Sequence, residues 1–119
     1  MNKAVLKENG IDYEQGVARC VGNTALYETL LLSVSESDSL QRAKAEYADK
    51  NYEKLFETIH EIKGVSGNLS MNSLFASSSE LTEVLRAKDY SSPDLTRLFA
   101  KFVSSFESSL DAIKKAKEG

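Results

Sequence analysis

The chain contains one histidine, His60, followed three and four residues later by Lys63 and Gly64. On a helix such positions share a face, with Cβ atoms about 5–6 Å apart, so an imidazole, a cation and an absent side chain fall on one patch. An imidazole with a pKa near about 6.5 is largely neutral around pH 7 and can serve as a nucleophile. Attack on phosphorus would leave the phosphoryl group on the ring nitrogen. Lys63 could then balance its oxygens as a charge-assisted donor. Bare backbone at Gly64, and at Gly67 one turn further on, would let another protein's active site come close. Taken singly, each residue also has a plainer reading: a solvated histidine, a solvated lysine, and glycines that end a helix.

Other chemistries are excluded by what the chain lacks. No Gly-x-Ser-x-Gly elbow is present, and Cys20 falls on a different element from His60, so neither a serine nor a cysteine nucleophile has its base. Gly64-Val65-Ser66-Gly67 has the wrong spacing for a phosphate-binding loop or a dinucleotide fingerprint. One cysteine and one histidine cannot make a zinc quartet or an intrachain disulfide, and Cys20 reads as a small buried hydrophobe. A formal charge of −3 argues against nucleic acid and for a protein partner.

The elements that must hold the patch are helices. One proline and six glycines in 119 residues, with few β-branched runs, predict an all-α fold with a single core. Charged residues are 28% and hydrophobic ones 41%, an ordinary globular balance, and no apolar run approaches the roughly 20 residues that span a bilayer. Without an apolar segment near Met1 to act as a secretory signal, the expected location is the cytoplasm.

Residues 1–10 read as a flexible leader, and 11–117 as one domain. Asp12 is a cap candidate for a short helix from Tyr13 to Val21, stopped by Gly22. Asn23-Thr24 opens a long helix predicted over about 24–49, weakened or kinked in the middle at the polar run Ser33–Ser39. Tyr52 to Gly67 forms the helix carrying His60, with Leu55, Ile59 and Ile62 turned inward. Gly64 and Gly67 each cost about 1 kcal/mol relative to alanine there, so helix stability does not explain them. A further helix runs from about Ser70 to Lys88, where Ser77, Ser78 and Ser79 suit a tight helix contact. Pro93 opens the last helix, whose Leu95, Leu98, Phe99, Phe102, Phe106, Leu110 and Ile113 give the clearest period. Short connections between such helices predict an antiparallel up-and-down four-helix bundle with a short extra N-terminal helix as a lid.

At this point the chain resembles the histidine phosphotransfer (HPt) domain family. His60-Glu61-Ile62-Lys63-Gly64-Val65-Ser66-Gly67-Asn68-Leu69 is similar to the family's His-x-x-Lys-Gly signature, and the likeness extends over roughly residues 11–114. The resemblance implies that His60 exchanges a phosphoryl group with aspartates of receiver domains, belonging to a hybrid sensor kinase, a response regulator or both. It implies that Lys63 contacts the phosphoryl oxygens and that Gly64 leaves room for the receiver. No cofactor of its own is expected; magnesium would sit in the receiver, and the chain would act as a monomeric carrier rather than an enzyme. Gly67, Asn68, Thr82, Ile11, Val17 and Phe56 are the further candidates for the partner-facing surface.

Two positions depart from the family pattern: Ser70 stands where glycine is common, and Thr82 where a glutamate or glutamine often orients the histidine. The second departure keeps open an alternative, a phosphorylation-inactive bundle acting as an interaction or inhibitory module. A sensor-kinase dimerisation domain fits less well, because Lys63-Gly64 replaces that family's His-Glu-x-Arg/Asn-x-Pro pattern and no residues remain for an ATP-binding domain.

Overall fold

Asparagine, aspartate and serine side chains start most of the helices. In the computed structural model, which describes residues 1–119, Asn2, Asp12, Asn23, Asn51 and Ser92 accept first-turn backbone N–H groups of α1 (Lys3–Glu8), α2 (Tyr13–Arg19), α3 (Thr24–Glu36), α5 (Tyr52–Asn68) and α7 (Pro93–Glu118). The remaining helices are α4 (Ser39–Ala48) and α6 (Asn72–Arg86), and there are no strands. The fold is all-α, as the composition predicts.

The bundle is formed by α5, α6, α7 and the pair α3–α4, which together make the fourth rod. Two contacts set the direction of α4 against α7: Lys44 meets Glu107, while Tyr47, later on α4, stacks on Phe99, earlier on α7, so the two run antiparallel; Arg42 on α4 also meets Glu61 on α5. At about 1.5 Å per residue the 26 residues of α7 reach about 39 Å, nearly the 42 Å length of the molecule. Its Phe99, Phe102 and Phe106 line the core beside Leu31, Leu55, Ile59, Leu81 and Leu85, and Tyr47 stacks on Phe99 at 3.9 Å.

Two expectations are corrected. Helix 24–49 is not merely weakened: it ends at Glu36, with Ser37 extended at ψ 144° and its hydroxyl accepting the N–H of Ser39. Serine and aspartate side chains here offer the backbone other partners than the helix ladder, which breaks it. Nor is the 1–10 segment a loose leader. Leu6 is fully buried, and Asn2 N donates to the Ala116 carbonyl, tying α1 to α7. The Gly10 carbonyl accepts from the N–H groups of Asn72 and Ser73, so the leader caps α6, which has no side-chain cap. Gly10 adopts φ +78°, a left-handed conformation.

At the far end of α5, Tyr27 donates to the Leu69 carbonyl at 2.7 Å, and Tyr13 meets Tyr27 edge to face. Burial pushes the Tyr27 phenol well above its ordinary range. Tyr13 also donates to the Glu28 carboxylate, and that bond, with burial, raises its pKa to about 12. Of the run Ser77–Ser79 on α6, Ser77 and Ser78 are buried, as a tight contact requires, while Ser79 is half-buried.

Candidate functional site

Leu55, Thr58, Ile59, Ile62 and Ser66 turn one face of α5 into the core, which leaves His60, Gly64 and Asn68, four residues apart, on the outer face. His60 is exposed. No hydrogen bond orients its ring; it lies parallel to the Phe56 ring, one turn back, at 6.0 Å and 6°. The Arg86 guanidinium, from α6, covers the Phe56 ring at 5.6 Å. Phe56 therefore borders the histidine.

Lys63 is half-buried, its Nζ 6.0 Å from the centre of the Phe75 ring, and no carboxylate lies within ion-pair distance. A side chain added at Gly64 would meet nothing within 4 Å. Gly67 is different: a Cβ there would come 3.0 and 3.1 Å from Phe75, so this glycine seats an aromatic ring of α6 and is not open backbone.

His60, Lys63, Gly64, Gly67 and Asn68 line one open groove of about 520 Å³. Its other walls are Gln15 and Arg19 from α2, and Asn72 and Phe75 from α6. No aspartate or glutamate lines it. Glu61, next to His60 in sequence, is turned aside toward Arg42.

Thr82 and Ile11 correct the sequence expectation. Gly67 with Phe75 and Phe56 with Arg86 set an antiparallel register that brings Thr82 level with His60, but Thr82 is fully buried and its hydroxyl donates to the Ser78 carbonyl at 2.7 Å. It gives His60 no hydrogen bond. Ile11 is a core residue, 1% exposed and bridged to Met71 through the backbone, and so has no surface to offer a partner. Val17 is half-buried against the core.

Sequence reasoning missed Arg19, Gln15, Asn72, Phe75 and Arg86. Arg19 lies 41 residues before His60 and only tertiary packing brings it near; Arg86, one turn after Thr82 on α6, was within reach of a helical register argument.

An open groove with an imidazole, two unpaired cations and no acid has the charge to suit an anionic group but does not enclose it. No group of three or more His, Cys, Asp or Glu side chains is placed to hold a metal, and no helix is long and apolar enough to cross a membrane. Comparison with curated proteins and with solved structures finds no match. The family model described as Hpt domain matches residues 25–116, which hold α5 with His60 and most of the bundle. The chain therefore belongs to the Hpt domain family, whose members carry phosphoryl groups in His–Asp phosphorelays and are not enzymes in the usual sense.

Proposed function

We propose that His60 is the residue that carries the phosphoryl group. The lone pair of its unprotonated nitrogen attacks the phosphorus of a receiver domain's aspartyl phosphate. A nitrogen–phosphorus bond forms as the phosphorus–oxygen bond to the aspartate breaks, and the electron pair leaves with the carboxylate. Run backwards, the same step delivers the group to a second receiver. Lys63, without an acid of its own, is available to the added oxygens, and Gly64 admits the receiver's loops. Phe56 and Asn68 border the contact. Magnesium and most of the transition-state stabilisation belong to the receiver, so the chain works as a monomeric carrier without a metal of its own.

The observation that carries this reading is the exposed His60 in a groove whose only charged side chains are cations. Incubation with a phosphorylated receiver and magnesium should place an acid-labile, base-stable label on the chain, absent from His60→Gln. If no receiver of the host transfers a label, the carrier role is wrong.

The position of Thr82 favours a second reading, a bundle that binds receivers without accepting phosphate. Its hydroxyl is committed to Ser78, so the ring of His60 lacks the hydrogen bond that fixes one nitrogen for attack. Binding of a receiver without label would establish that alternative.

A further inference from the structure

Arg19 stands apart from the other arginines. The chain has four, and three are paired: Arg42 with Asp38 and Glu61, Arg86 with Glu83, Arg97 with Asp94. Arg19 has no carboxylate partner. Its Nε donates to the Ser70 hydroxyl at 3.1 Å, which anchors the side chain, and its two Nη groups make no bond within the chain. It is exposed, and it lines the same groove as His60 and Lys63.

The anchor itself is built. Ser70 is fully buried at the end of α5 in a left-handed conformation, φ 55°, and its carbonyl accepts the N–H of Asp12, which caps α2. The turn that ends the histidine helix thus also fixes the helix that carries Arg19. From His60 to Ser70 is about 15 Å at 1.5 Å per residue, too far for Arg19 to reach a phosphoryl group on the ring directly. It is near enough to meet a protein seated over the histidine. Arg19 also lies before residues 25–116, the stretch that the family model matches.

We propose that Arg19 is a docking residue, one that receives a carboxylate on the rim of the receiver bound over His60. This rests on the carrier reading of His60. Two unpaired cations lining one acid-free groove, in a chain of net charge −3, make a local positive surface that an acidic rim would complement. Arg19 sets how tightly and how fast the receiver docks, and leaves the chemistry to His60 and Lys63.

The test is the rate of transfer from a phosphorylated, magnesium-loaded receiver of the host, measured against receiver concentration for the full chain and for Arg19→Ala, Arg19→Gln, Arg19→Lys and Arg19→Glu. Arg97→Ala, which removes a paired arginine elsewhere, is the control. For Ala and Gln, KM should rise about two- to fivefold, the range of one exposed ion pair, with kcat unchanged. Arg19→Glu should raise it about tenfold, and Arg19→Lys, which keeps the charge without the Ser70 anchor, should stay closest to the parent. The KM of the parent should also climb more steeply with salt than that of Arg19→Ala. If Arg19→Ala and Arg19→Glu keep the parental KM, the docking role is overturned while the carrier role stands. A fall in kcat at constant KM overturns it as well. No transfer to the parent chain from any receiver refutes the carrier reading, and Arg19's role with it.

Discussion

Gly16 and Gly64 both sit inside helices, and their surroundings are opposite. A Cβ on Gly16 would lie 2.2 Å from the Tyr27 ring, whereas one on Gly64 would meet nothing within 4 Å. Gly16 belongs to the end of the molecule where α2, α3 and the turn after α5 are knitted together by Tyr27 and Leu69, Tyr13 and Glu28, and Arg19 and Ser70. Gly64 belongs to the outer face of α5, where His60 has no hydrogen bond and Lys63 no ion pair. Both glycines carry the same cost in helix propensity, about 1 kcal/mol. At Gly16 that cost is offset inside the molecule, by the ring that fills the space. At Gly64 nothing in the chain offsets it, which accords with the close approach of a receiver proposed for this face.

Alanine at Gly16 is the severest way to break this contrast. The Tyr27 ring would have to move while its hydroxyl is held by Leu69, so Gly16→Ala should lower stability by about 3 kcal/mol despite the better helix former. Urea denaturation measures this directly. At Gly64 the same change should stabilise by about 0.5–1 kcal/mol. If the two substitutions move stability alike, the distinction between a filled and an open glycine is lost.

A larger side chain at the open site should separate function from fold. Gly64→Glu places bulk and a negative charge on the face of His60, with nothing in the chain within 4 Å of the new Cβ. Receiver-dependent phosphorylation of His60 should fall tenfold or more, equivalent to at least about 1.4 kcal/mol, with the melting temperature within a few degrees of the parent. Transfer at the parental rate would show that no receiver backbone approaches there.

A smaller effect tests the knitted end. Tyr13→Phe removes the hydrogen bond to Glu28 and should cost about 1 kcal/mol near neutral pH. The folded-state pKa of Tyr13 is raised from 10.0 to about 12, so this contribution is complete below the unfolded pKa and is lost as pH rises through the folded one. The stability difference between Tyr13→Phe and the parent should therefore shrink between about pH 10 and pH 12. A difference that stays constant across that window would mean the phenol is not held protonated by Glu28.

The same contrast explains what could be read from the sequence. His60, Lys63 and Gly64 lie within one turn of one helix, so periodicity alone brings them together, and the apolar stripe of α5 correctly turns them outward. The regular period of α7 likewise gave the longest helix. What escaped was nonlocal. Gly10 caps α6 across some sixty residues of sequence, and the buried Leu6 makes α1 part of the core. A short segment with one apolar anchor gives no periodic signal, so it read as a leader. Gly64 and Gly67 looked equivalent, because nothing local reveals that Phe75 fills one and not the other. Thr82 had the right register but the wrong rotation about α6, a matter of which face the bundle buries.

The smallest effect is at Ser70, where the two regions meet. Its φ of 55° is a conformation that disfavours any residue with a Cβ, by about 1 kcal/mol, which is the physical reason glycine suits this place at the end of a helix. Ser70→Gly removes that strain but also removes the buried hydroxyl that anchors the exposed Arg19, a bond worth roughly 0.5 kcal/mol. The balance should be a gain of about 0.5 kcal/mol in urea denaturation. At the same time Arg19 loses its only fixed contact, so receiver docking should weaken, by less than in Arg19→Ala, while the fold becomes slightly stronger. Opposite signs for stability and docking in one substitution would mean that serine is kept at this turn for the arginine it holds. A loss of stability instead would mean that the hydroxyl outweighs the backbone strain, and that Ser70 serves the fold first.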